Sequence, residues 1–525
     1  MNAFAITFDG AAVPVAEGET ILQVARRLGV DIPTLCFLET CTPATSCLVC
    51  LVKIKLGGAG KLVPSCATRV APGMVVESET PEVHAARRTA LELLFSDHVG
   101  DCLSPCHRLC PLQLNVPVML RQTEAGELDA AIATVRQALP LPAVLGRLCH
   151  HPCENGCRRG TRDQPAAIRD VERFVADHDR QSSQPYQPPA KPRTGKRVAI
   201  VGTGPTGLAA AFYLVREGHA VTLFDRREQA GGSLLREVAS GTLPAEVLAA
   251  EIKRLETLGA VIRTGVALGT TFTLEMLVAD HDAVLVAVGE SAKTQAVTLG
   301  LGATPGGLKV DPDGGATSMP KVFAAGSAVK PTHQVLRAMA DGRVAALALN
   351  QFLHGLPIKR PTKPFSSIMG RLDPLELKRF MVGPSPVPRA IPPLDLRRGF
   401  SPTTATEESG RCLHCDCRAA GNCQLEHYAE LYAADTSRYR SQRRAFEQFV
   451  QPGGIVFEPG KCILCGLCVQ IAERAREPLG LTFVGRGFDV RIAVPFNRSL
   501  DEGLQKVGRE CVAACPTGAL AFKEP

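Results

Sequence analysis

The sequence predicts a multidomain chain of α/β plus α+β units, and three observations carry that prediction. Residues 196–225 read KRVAIVGTGPTGLAAAFYLVREGHAVTLFD: an apolar strand running into Gly202-x-Gly204-x-x-Gly207, an Ala/Leu-rich helix, and a second strand closing on Asp225. That order is the context in which a glycine pattern becomes a dinucleotide-binding fingerprint. The opening MNAFAITFDG alternates with the period of a strand, and stretches near 89–94 and 128–139 repeat with the period of a helix. Finally, twenty cysteines fall almost entirely in tight groups on either side of the fingerprint.

Composition narrows the class. The 525 residues suffice for about three to five domains, each with its own core. The net charge of +7 is dispersed without a long Lys/Arg run, and there is no tryptophan for base stacking, so nucleic acid is not an expected partner. A basic face toward an acidic redox protein fits the same balance. No apolar run reaches the ~20 residues of a membrane span. The first residues read as a strand rather than a signal sequence, so a cytoplasmic location is expected. In that compartment thiols stay reduced, and grouped cysteines point to metal rather than disulfides.

Residues 1–80 read as a small β-rich domain, with a hairpin from Ala3 to Val15 and a helix from Thr20 to Leu28. Cys36, Cys47, Cys50 and Cys66 follow in the spacing C-x10-C-x2-C-x15-C. Four thiolates, two on a short loop, suit a [2Fe–2S] cluster, with zinc as the alternative. Together with GETILQVARRLGVDIPTLC, the segment resembles the β-grasp ferredoxin-like domain that opens the large iron–sulfur subunit of respiratory complex I and related hydrogenases. Cys41 reads as a spare thiol.

Residues 81–180 read as a helical domain punctuated by Cys102-x3-Cys106-x3-Cys110-Pro111 and Cys149-x3-Cys153-x3-Cys157. With LPLPAVLGRLC and PAAIRDVERFVAD, it resembles the N-terminal domain of the glutamate synthase small subunit, and is similar to dihydropyrimidine dehydrogenase and the electron-bifurcating transhydrogenases. The resemblance implies two [4Fe–4S] clusters in crossed fashion, one on Cys102, Cys106 and Cys157, the other on Cys110, Cys149 and Cys153. It also implies Glu172 as the fourth ligand of the second, with a surface salt bridge as the bland alternative. His98, in His98-x3-Cys102, stands where the first lacks a cysteine. It resembles the histidine-ligated cluster that follows the ferredoxin domain in complex I.

Residues 181–195 are a Pro-rich linker. In 196–355, Gly202, Gly204, Pro205, Thr206 and Gly207 would receive pyrophosphate at a helix N-terminus, and Asp225, with Arg226 beside it, would accept from a ribose. Gly231-Gly232, DAVLVAVG at 282–289 and KVFAAGSA at 321–328 resemble flavoproteins of the glutathione-reductase type, which implies FAD, with Gly232, Gly326 and Ser327 at the flavin. Ser327 stands where the family has Asp. Only a short segment separates Gly289 from Lys321, where the family carries a whole NAD(P)-binding domain, so a Rossmann-like FAD domain lacking its NAD(P) domain is expected. Gly300-x-Gly302-x3-Gly306 within it reads as a loop.

Residues 356–405 read as an extended connector, and 406–525 as a C-terminal ferredoxin-like domain with two [4Fe–4S] clusters. One is expected on Cys412, Cys415, Cys417 and Cys423, with His414 or His427 as substitute ligands and zinc as the alternative metal. The other is expected on Cys462, Cys465, Cys468 and, from afar, Cys515-Pro516; Cys511 is left without a role. The expected cofactors are therefore FAD, one [2Fe–2S] and four [4Fe–4S] clusters.

The expected function is an electron-transfer subunit of a cytoplasmic multisubunit redox complex. It would relay electrons between an NAD(P)H-linked diaphorase subunit or a ferredoxin and a catalytic subunit, such as a molybdenum or tungsten enzyme or a hydrogenase. The resemblances supply those partners. The alternatives are a self-contained NAD(P)H-dependent or bifurcating oxidoreductase, and a scaffold with a degenerate flavin site. Whether the chain is an enzyme by itself stays open.

Overall fold

The computed structural model describes residues 3–296, 299–393, 395, 397–440 and 443–523. The chain divides into two compact units. The first comprises residues 1–104, 365–382 and 414–525, and the second 105–364 and 383–413, so the second interrupts the first in sequence.

The first unit opens on a five-stranded mixed sheet in the order Ala11–Ala16, Ala3–Phe8, Val75–Glu77, Leu51–Lys55, Lys61–Pro64. Asp9 and Gly10, both with positive φ, make the tight turn between the first two strands. The helix Ile21–Arg27 starts at a capping box of Thr20 and Gln23 and buries Ile21, Leu22, Val24 and Ala25 against the sheet. The helix Pro81–Phe95, grouped by the sequence reading with the helices after it, packs in this unit instead. Its fully buried Arg87 donates from Nε to the Leu51 carbonyl and from Nη1 to Tyr432 Oη, at 3.0 and 2.7 Å.

The C-terminal part of the unit carries the antiparallel strands Phe449–Val450, Ile455–Phe457 and Leu520–Phe522, with the helices Leu467–Arg474 and Gly508–Ala514 packed together beside them. Its apolar core is continuous with the cysteine loop of the first sheet: Leu35, Cys36, Cys47 and Val49 share it with Phe95, Leu425, Cys465 and Ile471. Part of the expected connector, 365–382, also belongs here. Its helix Pro374–Phe380 is fixed by Glu376, whose carboxylate receives Arg443 and the Phe446 amide, and by Phe380 stacked on Phe446 at 4.1 Å.

The second unit joins a helical layer to a parallel sheet. The helices Val116–Glu124, Leu128–Ala138, Pro142–Leu148 and Ile168–Gln181 pack on one another. A buried Arg136 donates to Glu251 at 3.0 Å, tying this layer to the helix Ala245–Leu258. The sheet runs Val322–Ala324, Ala283–Val286, Arg197–Val201, Ala220–Phe224, Val261–Arg263, all parallel. Sequence order reverses between Arg197–Val201 and Ala283–Val286, the topological switch point where such sheets bind ligands. Between Gly289 and Lys321 the described residues form a short helix, Ala292–Gln295, and a hairpin of Ala303–Thr304 with Gly307–Leu308. Among the described residues no single helix is long and apolar enough to cross a membrane.

Candidate functional site

Four thiols of the first sheet, Cys36, Cys47, Cys50 and Cys66, are buried. Thr45 and Leu48, both at positive φ, fold the loop back on itself. Hydrogen bonding from Cys47 holds the Cys36 thiol down to about 5, and Cys66 does the same for Cys50, to about 7. The loop docks on the helix Leu467–Arg474, where Thr42 and Gln470 exchange two hydrogen bonds of 2.8 and 3.1 Å. The Cys36 charge is felt as far as Cys465. Cys41 lies outside the four, with Arg474 Nη1 3.9 Å from its sulfur.

Cys462, Cys465, Cys468 and Cys515 line one small cavity closed by Phe457, Leu467 and Ile492. The tight C-x2-C-x2-C turn is made by Leu464 and Gly466, both in the left-handed region. Burial pushes the Cys462 thiol up to about 11 and Cys465 to about 12. Protonated thiols would be the stable form there unless a cation took the protons' place. Cys511 is fully buried and donates to the Cys468 carbonyl.

A third group forms in the first unit from both ends of its sequence. The Cys417 amide donates to the Cys102 carbonyl at 3.1 Å, and the charges of Cys102, Cys417 and Cys423 act on one another. His98 shares their neighbour Lys461, whose Nζ lies 3.7 Å from Cys417 Sγ, and its own Nδ1 is buried without a hydrogen-bond partner. Burial and the Lys461 charge push its pKa down to about 3. Ser367, on the expected connector, places its amide and hydroxyl each 3.4 Å from Cys102 Sγ. The sequence sets Cys102 with Cys106 and Cys157, and Cys412 with Cys415, Cys417 and Cys423. Each of those expected sets is divided between the two units. Arg411 shows why Cys412 stays with the second, since this buried guanidinium donates to the Gln164 carbonyl and to that of Val387.

In the second unit, Glu172 is buried on the helix Ile168–Gln181, and its Oε1 has no partner. Burial pushes the carboxyl up to about 8. Its charge acts on Cys110, Cys149 and Cys153, so these four expected ligands are brought together. His151, at φ 44°, turns the loop so that its amide donates to Cys149 Sγ at 3.3 Å. Cys106 acts electrostatically on Cys153, while Arg159, two residues beyond Cys157, donates to the Arg411 carbonyl beside Cys412 at 2.8 Å. Among the described residues, no three His, Cys, Asp or Glu side chains close around a single metal ion. The donor sets nonetheless fit iron–sulfur clusters: soft thiolates, with an imidazole nitrogen and a carboxylate oxygen buried and unpartnered where a thiolate is short.

At the switch point of the parallel sheet lies a cleft of about 950 Å³. Gly202, Gly204, Pro205, Thr206, Asp225, Arg226, Gly232 and Ser327 line it. The helix Pro205–Arg216 begins there at Gly204 with no side chain capping its free amides, the arrangement that receives a phosphate. Gly207 and Gly326 act from behind. A Cβ on Gly207 would lie 2.0 Å from the Gly202 carbonyl, and one on Gly326 would lie 2.2 Å from the Thr206 hydroxyl. Two expected acceptors are already engaged. Asp225 receives the Thr203 amide and hydroxyl at 2.8 and 2.6 Å and the Arg227 amide at 2.9 Å. Ser327 Oγ donates to the Thr332 carbonyl at 3.1 Å. Sequence reasoning missed Thr203, Ser367 and Lys461. Only Lys461 left a signal, its place directly before Cys462.

Three protein-family models match the chain: a 2Fe-2S iron–sulfur cluster binding domain over residues 2–81, dihydropyrimidine dehydrogenase domain II with its 4Fe-4S cluster over 96–184, and pyridine nucleotide-disulphide oxidoreductase over 160–342. The beta subunit of the NADP(+)-dependent formate dehydrogenase of Moorella thermoacetica is 36% identical over 213 residues, which are 37% of this chain and 30% of that one. The PreT subunit of the NAD-dependent dihydropyrimidine dehydrogenase of Escherichia coli K12 is 37% identical over 206 residues, 38% of this chain and 50% of that one. The glutamate synthase [NADPH] small chain of Mycobacterium tuberculosis is 35% identical over 193 residues, 37% of this chain and 40% of that one. The chain thus spans half or less of the length of these relatives. The resemblances to a [2Fe–2S] domain and to the glutamate synthase small subunit are borne out.

Proposed function

We propose that this chain is the flavo-iron–sulfur electron relay of a multisubunit, cytoplasmic redox complex, carrying electrons between an NAD(P)H- or ferredoxin-linked partner and a catalytic subunit. The observation that carries the reading is the shared core of the first unit, in which the thiol loop of Cys36 and Cys47 is continuous with the surroundings of Cys423 and Cys465. Buried redox groups embedded in one packed core suit electron passage, and the relatives, named as subunits of formate and dihydropyrimidine dehydrogenases, support it.

The proposed ligands are Cys36, Cys47, Cys50 and Cys66 for the [2Fe–2S] cluster. Three [4Fe–4S] clusters sit on His98, Cys102, Cys417 and Cys423, on Cys462, Cys465, Cys468 and Cys515, and on Cys110, Cys149, Cys153 and Glu172. Cys106, Cys157 and Cys412 of the second unit remain for a fourth. The clusters supply one-electron transfer, and FAD in the 950 Å³ cleft exchanges single electrons with pairs. Gly204 and the amides after it hold the pyrophosphate, and Asp225 offers its remaining lone pairs to the ribose.

The local engagement of Ser327 and Asp225 favours a second reading, in which the cleft is a degenerate spacer between clusters. Iron, sulfide and flavin analysis of anaerobically purified protein decides between them. About eighteen irons and one FAD, with no bleaching by NADH alone, support the relay. Flavin-free protein with full iron supports the spacer, and rapid bleaching by NADH overturns both.

A further inference from the structure

We propose that Lys461 is a positioning residue for the His98, Cys102, Cys417 and Cys423 group: a buried cation held against the Cys417 sulfur, it raises the reduction potential of the cluster at that group. The proposal rests on the ligand grouping given above. Lys461 is 3% exposed, and its Nζ lies 3.7 Å from Cys417 Sγ while also meeting the Glu458 carboxylate. Glu458 is itself buried and receives Gln448 Nε2 at 3.0 Å. The ion pair therefore has a fixed direction, with its positive end toward the sulfur.

A structural ion pair between residues three apart would need nothing more. Here the surroundings are shaped to bring the ammonium to the thiol. A Cβ on Gly100 would lie 2.5 Å from Lys461 Cε, and a Cβ on Gly518 would lie 2.5 Å from Cys417 Sγ and 3.7 Å from Lys461 Cδ. The loop carrying His98 and Cys102 is pinned to the same turn, since the Val99 amide donates to the Gly460 carbonyl at 2.7 Å. The Lys461 main chain runs directly into Cys462, and its carbonyl receives Thr517 Oγ1 at 2.9 Å, so one residue links two thiol groups.

The physical consequence follows from charge. Reduction adds one electron to a cluster already surrounded by thiolates. A cation a few ångströms from one of those sulfurs, shielded from water, stabilises the reduced form more than the oxidised one. Hydrogen bonds to cluster sulfurs act in the same direction.

The test uses the whole anaerobically purified holoprotein, titrated with dithionite and followed by electron paramagnetic resonance. The His98-ligated cluster is identified by nitrogen coupling in its pulsed spectrum. Lys461→Met should move that cluster to lower potential at unchanged iron content, and Lys461→Arg should retain most of the wild-type value. Glu458→Gln should move it the opposite way. Unmoved potentials in Lys461→Met and Glu458→Gln, or shifts of the same sign in both, overturn the proposal. If Lys461→Met does not assemble, Glu458→Gln decides, an upward shift supporting and no shift overturning. A nitrogen-coupled signal that ignores both substitutions leaves the ligand grouping standing alone. Absence of nitrogen coupling from every signal removes the grouping and this proposal together.

Discussion

His98 and Glu172 stand in the same position in two different settings. In the proposed ligand sets each is the one non-thiol member, and each keeps a buried oxygen or nitrogen without a partner. The His98 group is drawn from both ends of the first unit's sequence and held by the hydroxyl of Ser367 and the ammonium of Lys461. The Glu172 group comes from one continuous run, Cys110 to Glu172, with Glu154 and Asp170 adding negative charge and Arg169 opposing it. A neutral imidazole beside a cation favours an added electron, whereas a carboxylate among carboxylates opposes it. If the proposed ligand sets hold, the His98 cluster should be the easier of the two to reduce.

The most severe break of this comparison is Cys423→Ala. It should cost about four irons and the nitrogen-coupled signal, whereas Cys412→Ala should leave that signal intact; iron analysis and pulsed spectra check both. Next comes Glu172→Ala. It should alter a single cluster's spectrum and raise that cluster's potential by removing an anionic ligand; Glu172→Gln should raise the potential likewise but, keeping an oxygen donor, retain more of the iron. A spectrum unchanged in Glu172→Ala would return Glu172 to an ordinary buried acid.

Acid should act on the first unit through a second carboxylate. Arg443 and two backbone amides hold the Glu376 carboxyl down to about 2. A depressed carboxylate contributes stability above its ordinary value near 4.5 and loses it as pH falls toward 2. The loss is about 3 kcal/mol by linkage. Since Glu376 anchors the segment that brings Ser367 to Cys102, the loss of that stability toward pH 2 should perturb the His98 signal. Arg443→Ala should destabilise the first unit by a similar amount at neutral pH, read by denaturant unfolding. The smallest effect concerns the cleft. Ser327→Asp should raise flavin retention by about 1–2 kcal/mol, the worth of a charge-assisted hydrogen bond, measured as FAD kept through gel filtration. No gain would favour the spacer reading.

Much of this molecule was legible in local pattern. The fingerprint 202–207 stands at the carboxyl end of its strand because a glycine turn between an apolar strand and a helix has few other solutions. Cys462, Cys465 and Cys468 line one cavity because their spacing allows no other course, and Cys515-Pro516 joins them as expected. The helix Pro81–Phe95 was harder: its helical period identifies an element and says nothing of which core receives its apolar face. Arg87, bonded to strand and tyrosine, decided that. The proposed grouping of Cys102 with Cys417 and Cys423 was illegible for a like reason. Thiols close in sequence look like one set until the fold of the intervening chain assigns them.

By itself the sequence determined which side chains are chemically competent here, because thiolate, imidazole and carboxylate are properties of residues and tight spacing is a property of short chain segments. It also determined the dinucleotide turn. Only the tertiary structure decided which thiols fall in the same unit, which acceptors of the cleft are already hydrogen-bonded, and that a lysine lies against a cysteine sulfur. Those outcomes depend on contacts between residues far apart in the chain, and such contacts are fixed by packing around a common core rather than by any local pattern.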